Sequence, residues 1–319
     1  MDYIGIDIGG TKIAGGVVTV EGKIIARAES PTPIAEGGKR ILEEAIAIAK
    51  SLLLQASARA IQGIGIGAGG QIDTVQGIVY SATDVIPGWK GMHITDGFSK
   101  ALGLSSAVEN DVNVLGLAET RFGAARPVAK GTVIFLALGT GVGGALLLNG
   151  VVHHGAHWSG AEFGHILLNM DADARRDLGG APGTLEAYCS GAGLVQTWKE
   201  LSGSTDSSIT GHDVVRYAEK DPEGPAAIAI RRTGEYLGCG LASLANALDP
   251  DLIIVGGGLS ELGEALLGPA RESFKRNTLP GPGLCQIILP QLGIDAPIVG
   301  AASLVMPASI DAVPAVGVY

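Results

Sequence analysis

The chain has 319 residues, of which 46% are hydrophobic, 17% charged and only 4% aromatic, with a formal net charge of −10. That balance argues against a nucleic-acid partner, which would need basic patches, and no run approaches the roughly 18 uninterrupted apolar residues of a membrane helix. The length suits two lobes better than one ordinary domain. Cys189, Cys239 and Cys285 are scattered, form no CxxC pair and read as reduced core thiols. With no basic leader before the first apolar run, a soluble cytoplasmic protein is expected. The 50 glycines fall at turns between apolar runs and not in one low-complexity block.

Residues 3–12, YIGIDIGGTK, form an apolar run that breaks into an acid, two glycines, a threonine and a lysine. This reads as a strand ending in a phosphate-gripping turn. Gly9 and Gly10 let a ligand approach the backbone, Thr11 supplies a hydroxyl and Lys12 a cation. Asp7 would repel a phosphate unless a divalent cation lay between them, and Mg²⁺ is usually held by carboxylates, waters and substrate phosphates. Asp7 therefore points to Mg²⁺, bound through water, with a nucleotide. The plainer alternative is a hairpin whose glycines serve only the turn.

A second apolar run, 13–20, leads through Glu21-Gly22 to a third strand at 24–29 that Pro31 and Pro33 end. Ile41, Leu42, Ala45, Ile46, Ile48, Ala49, Leu52 and Leu53 recur at helical spacing between charged residues, an amphipathic helix. The strand 61–67 alternates isoleucine and glycine, which invites a very close packing partner, and a loop follows at Ala68-Gly69-Gly70. Trp89, within PGWKG, reads as a space-filler more readily than as a ligand platform. A short strand, 106–109, then runs into Asn110-Asp111 and a helix. An Asn-Asp pair there is ordinarily an N-cap, but a helix N-terminus also favours a carboxylate.

From residue 132 the plan of the N-terminus repeats: strand, glycine-threonine turn (Gly139, Thr140, Gly141), strand, and an Asn149-Gly150 hairpin signal. Two such turns would face each other across a cleft and suit the β- and γ-phosphates of one nucleotide. No GxxxxGK[ST] occurs, so a P-loop is excluded. His153, His154 and His157 lie close together, yet no thiol or carboxylate completes a zinc-type set. Helices are expected at 194–201, 214–218 and 223–248, the last with Gly238, Gly240, Ala242 and Ala245 for tight packing on a sheet. A buried strand at 252–255, the turn Gly256-Gly257-Gly258, a helix at 259–267 and a final helix at 298–306 complete the chain.

Six segments, in this order and over almost the whole length, resemble the ROK (repressor, open reading frame, kinase) sugar kinases: IDIGGTK at 6–12, VENDVN at 108–113, LGTGVGG at 138–144, GAEFGH at 160–165, GTLEAYCSG at 183–191 and IIVGGGLS at 253–260. The resemblance implies an α/β fold of the actin, hexokinase and Hsp70 ATPase type (ribonuclease H-like), with duplicated mixed-sheet lobes around a cleft. The lobes would be 1–109 plus about 298–319, and 110–297. It implies ATP-dependent phosphorylation of a hexose, with Asp111 as general base. Gly70, Asn110, Asp111, Glu162, His165 and Glu186 would serve the sugar. Gly9, Gly10, Thr11, Lys12, Gly139, Thr140, Gly141, Gly256 and Gly257 would serve ATP, and Asp7 the Mg²⁺. Glucose is favoured, N-acetylmannosamine or another hexosamine is the alternative, polyphosphate is an open second donor, and a homodimer or homotetramer is expected.

A rival within the family is a sugar-responsive repressor without kinase activity. It would carry a helix-turn-helix ahead of this fold, and with Asp7 six residues from the start none is expected. Three departures stand out. Gly69 occupies a position where proline is usual, and Asp84 lies near one often occupied by asparagine. Most ROK kinases also carry a structural zinc held by three cysteines and a histidine; aligned back from Leu185-Glu186, the cysteine positions fall on Asp177, Gly179 and Thr184. No zinc is expected, and residues 171–183 would be held instead by ion pairs of Asp173 or Asp177 with Arg175 or Arg176, or by a partner subunit.

Overall fold

The computed structural model describes residues 1–83 and 85–307; Asp84 and the 308–319 part of the expected first lobe lie outside the described residues. By its contacts the chain forms two units, 1–130 with 147–160 and the C-terminal part from 291, and 131–146 with 161–290.

In the first unit, β1 (Asp2–Ile8), β2 (Lys12–Thr19) and β3 (Ile24–Pro31) form an antiparallel meander, and α1 (Gly38–Gln55) follows it. The helix buries Ile41, Ala45, Ile48, Ala49 and Leu52, the stripe expected from the sequence. Next come β4 (Ile61–Ala68), a small hairpin of β5 (Gln71–Asp73) and β6 (Ile78–Ser81), α2 (Ile94–Leu102), β7 (Ser106–Asn110) and α3 (Asp111–Phe122). The sheet order is β3-β2-β1-β4-β7, with β1, β4 and β7 parallel. Parallel central strands must be covered on both faces, which is why β1 and β4 read as nearly continuous apolar or glycine runs.

The chain continues through β8 (Thr132–Leu138), β9 (Val142–Leu148), β10 (Val151–Val152), α4 (Leu185–Cys189), α5 (Gly191–Ser202), α6 (Gly211–Lys220), α7 (Pro225–Leu248), β11 (Leu252–Gly256), α8 (Glu264–Asn277), β12 (Gln286–Ile288) and α9 (Ala296–Ser303). The second sheet runs β10-β9-β8-β11-β12. It repeats the first: an antiparallel meander whose leading strand, β8, pairs parallel with β11, which in turn pairs parallel with β12. The duplication read from two glycine-threonine turns is therefore a duplication of topology.

The close partner expected over the glycine-rich strand is α9, within the first unit. A Cβ at Gly65 would stand 1.7 Å from the Ala301 carbonyl oxygen and one at Gly5 1.9 Å from that of Ile298, so the helix backbone rests directly on β1 and β4. Gly300 brings α9 equally close to α3, where a Cβ would meet the Val114 carbonyl oxygen at 2.1 Å.

Several expectations are corrected. Gly238 of α7 faces α8, with Ala270 O 2.3 Å from its Cβ position, so this small-residue face packs on a helix and not on a sheet. The helix expected at 259–267 is instead a 3-10 turn (Gly258–Leu262), a break at Gly263 with φ +54°, and then α8, which continues through Gly268-Pro269. Of the three free cysteines only Cys189 is in the core; Cys239 is exposed and Cys285 intermediate. No helix among the described residues is long and apolar enough to cross a membrane.

Candidate active site

In the first unit the residues singled out from sequence gather at the carboxyl ends of the parallel strands, where open α/β sheets bind ligands. Register places Ile8 beside Ala68 and Ala68 beside Asn110, so Gly9-Gly10, Gly69-Gly70 and Asp111 emerge side by side. They border a cavity of about 300 Å³ that Ile34, Val85 and Trp89 help to close.

Asn110, not Asp111, is the N-cap of α3: its Oδ1 accepts from the amides of Val112 and Asn113 at 2.9 and 3.1 Å. Its Nδ2 donates to the Gly70 carbonyl at 2.9 Å. Asp111 is the first helical residue. Removal from water pushes its carboxyl above the ordinary range, against hydrogen bonds from Val112, its own amide and Asn110. Burial, with the Asp111 charge adding, raises Asp7 to about 7 while Lys12 opposes the shift. Two part-buried carboxylates of like charge are the environment a divalent cation relieves, so the donor chemistry at Asp7 fits Mg²⁺.

The turn after β1 closes by a hydrogen bond from Gly9 N to Lys12 O at 3.1 Å, and Thr32 Oγ1 donates to Gly9 O at 2.7 Å. Thr11 and Lys12 are exposed, and the Lys12 ammonium lies 2.9 Å from Glu29 Oε2. Trp89 is buried and its indole N–H donates to Gly69 O at 2.9 Å, so it both fills space and ties down the loop beside Asp111.

Sequence reasoning missed the group behind Asn110-Asp111. Glu109 is 3% exposed; its Oε1 accepts from Asn110 N (2.8 Å) and Asn113 Nδ2 (3.0 Å), and its Oε2 pairs with His154 Nε2 (2.5 Å). That hydrogen bond, outweighing partial burial, raises the His154 imidazole above its usual value. The histidine cluster therefore contributes a carboxylate partner, and among the described residues no group of three or more His, Cys, Asp or Glu is arranged for a metal.

In the second unit Glu186 abuts the repeated turn. Its Oε2 accepts from Val142 N at 2.9 Å and lies 2.5 Å from where a Gly141 Cβ would be, so any larger residue there would displace the Glu186 carboxylate. Gly139 donates its amide to Gly141 O at 2.9 Å and accepts from Gly191 N at 2.8 Å; Thr140 is exposed. Gly257, with φ +83°, packs against the Leu138 backbone, which sets the triglycine turn beside this one. The 3-10 turn that follows contributes Glu261 and Leu262 to a second cavity of about 560 Å³, also lined by Val215, Pro222, Ala227 and Arg231.

Glu162 is exposed at the start of the 3-10 turn Phe163–His165, directly after Ala161, which holds φ +64° without being glycine. His165 Nδ1 lies 3.4 Å from Asp177 Oδ2. The ion pairs expected to hold 171–183 do not form: Arg175 pairs with Glu200 and lies over the Tyr188 ring, and Arg176 donates to Gly180 O.

The model of the ROK family matches residues 3–308. A glucokinase of Streptomyces coelicolor is 34% identical over 94% of this chain and 96% of its own length. An N-acetyl-D-glucosamine kinase of Salmonella heidelberg is 31% identical over 87% and 90%. Among solved structures, a ROK-family glucokinase from Streptomyces griseus in complex with glucose and AMPPNP superposes with a TM-score of 0.77 at 34% identity, covering 95% of this chain and 99% of that one. With a family model over nearly its whole length and relatives above 30% identity that cover most of both chains, this chain belongs to the ROK family and has the α/β, actin-like ATPase fold of its sugar kinases.

Proposed function

We propose that the protein is a sugar kinase that transfers the γ-phosphoryl group of ATP to a hexose, with the 6-hydroxyl of glucose as the acceptor. The observation that carries this reading is the position of the Asp111 carboxylate, at the start of α3 and on the wall of a cavity that Gly9 and Gly70 border. Phosphoryl transfer leaves the protein little covalent chemistry beyond positioning, charge stabilisation and removal of the hydroxyl proton. Asp111 accepts that proton, and its raised basicity brings it closer to the value a general base needs near neutral pH.

Asn110, Gly70, Glu162, His165 and Glu186 bind sugar hydroxyls. Gly9, Gly10, Thr11 and Lys12, with Gly139, Thr140 and Gly141, take phosphate oxygens on backbone amides, hydroxyls and a cation. Gly256 and Gly257 lead the backbone past the adenosine, and the cavity at Glu261 and Leu262 takes the base. Asp7 would hold Mg²⁺ through water, and the ion would neutralise phosphate charge when bound. The nearest second reading, an N-acetylhexosamine kinase, is supported by the Salmonella relative.

A coupled ADP-release assay over glucose, mannose, fructose, N-acetylglucosamine and N-acetylmannosamine, with Mg-ATP or polyphosphate, tests the proposal. The highest kcat/KM is expected for glucose with ATP. Release that no sugar stimulates would overturn it.

A further inference from the structure

The zinc of related kinases needs three thiolates and an imidazole, and here its positions carry Asp177, Gly179 and Thr184 beside His165. These residues do not fit the metal, because glycine offers no ligand and a threonine hydroxyl is a poor one beside thiolate and imidazole. They nevertheless converge. Asp177 is 9% exposed and its side chain fully enclosed. Its Oδ1 accepts from Ala181 N at 2.9 Å, its Oδ2 accepts from Thr184 Oγ1 at 2.9 Å, and the same Oδ2 faces His165 Nδ1 at 3.4 Å. Thr184, 2% exposed, is in turn the N-cap of α4, where its oxygen accepts from Ala187 N, and α4 carries Glu186. Around this centre the backbone is pinned by Leu168 N to Gly183 O (2.7 Å), Gly183 N to Arg175 O (2.7 Å) and Leu185 N to Ile166 O (2.8 Å).

We propose that the buried Asp177 carboxylate does in this chain what a metal does in its relatives. It gathers the 177–181 turn and the cap of α4 onto one anion by hydrogen bonds, and faces the half-exposed imidazole of His165 at 3.4 Å. A buried carboxylate is tolerable when donors surround it, and charge-assisted hydrogen bonds are about twice as strong as neutral ones. A carboxylate facing Nδ1 also selects the tautomer that carries its proton there, the way an outer-shell carboxylate fixes a ligand histidine. Nε2 of His165 is then left bare, as an acceptor for a donated hydroxyl. Asp177 is thus a positioning residue for His165 and, through Thr184, for Glu186; only this last consequence for the sugar rests on the function proposed above.

Three measurements on the full-length protein test this. Elemental analysis should find zinc well below one per chain, and a chelator with Mg²⁺ kept in excess should leave the melting temperature unchanged; stoichiometric zinc would overturn the proposal. Nitrogen-15 NMR of ring-labelled histidine, with His165 assigned by its loss in His165→Gln, should show the Nδ1–H tautomer above the imidazole titration; an Nε2–H tautomer overturns it. Asp177→Asn should shift that tautomer population and raise the KM for glucose roughly tenfold with kcat changed less than about threefold, whereas Thr184→Val should lower the melting temperature and keep the tautomer. A folded Asp177→Asn protein with the tautomer and KM of the parent contradicts the proposal. Should Asp177→Asn not fold, the parent's tautomer and zinc content decide. Should no sugar be phosphorylated, the kinase reading falls while zinc and tautomer still decide this one.

Discussion

Asn110 donates its side-chain amide to the Gly70 carbonyl at 2.9 Å while its own oxygen caps the helix that begins at Asp111. One side chain therefore fixes the loop after β4, the start of α3 and the backbone that carries the proposed base. Asn110→Asp should keep the cap, since aspartate caps as well as asparagine, whereas Asn110→Ala should cost about 1 kcal/mol of stability. Both lose the bond to Gly70, so both should raise the sugar KM. Thermal melts beside steady-state kinetics check the split; an Asn110→Asp enzyme with parental KM would show that the Gly70 contact is dispensable.

The raised carboxyls set a pH dependence. For a base that must be ionised, kcat/KM falls as pH drops through its folded pKa, and Asp111 sits above the ordinary carboxylate range, so the acid limb should lie higher than that range. Stability runs the other way. Asp7 is raised from 3.8 to about 7, so its favourable contribution is complete below the unfolded value and disappears as pH rises through about 7. Asp7→Asn should therefore raise the melting temperature of the ligand-free protein at pH 8, not at pH 3, while turnover with Mg-ATP is lost. A melting temperature lowered at pH 8 would contradict the assigned cause.

Ala161 holds a left-handed backbone that costs an ordinary L-residue roughly 1–2 kcal/mol. Glycine loses that cost but gains unfolded-chain entropy worth about 0.4–1 kcal/mol. Ala161→Gly should thus stabilise by up to about 1.5 kcal/mol, read as a higher urea midpoint with an unchanged m-value.

Gly65→Ala should do the reverse. Its Cβ would fall 1.7 Å from the Ala301 carbonyl oxygen, a backbone clash that no rotamer change relieves. A loss of at least about 1–3 kcal/mol is expected, and an unchanged denaturation midpoint would mean that α9 can lift from β4.

These contrasts show what the sequence makes legible. The 61–67 alternation announced a close partner because glycine in a central strand has few other uses, and α9 supplies it. The repeated glycine-threonine turns announced the duplicated sheet because a turn between two apolar runs is local information. The Asp177, Thr184 and His165 cluster was not legible, since it assembles a polar loop without periodicity from residues up to 19 positions apart; nor was the Glu109–His154 pair, which spans 45 positions. Gly268-Pro269 reads as a helix stop, yet α8 passes through it, with Leu266, Leu267, Ala270 and Phe274 buried. There tertiary packing overrides local propensity.

The most direct test of the account is Asp111→Ala, measured for turnover and for glucose binding in the same preparation. If Asp111 takes the hydroxyl proton, kcat should fall by about 10² to 10⁴, while calorimetry finds the glucose Kd within a few-fold of the parent. An enzyme that keeps near-parental turnover without this carboxylate would contradict the account.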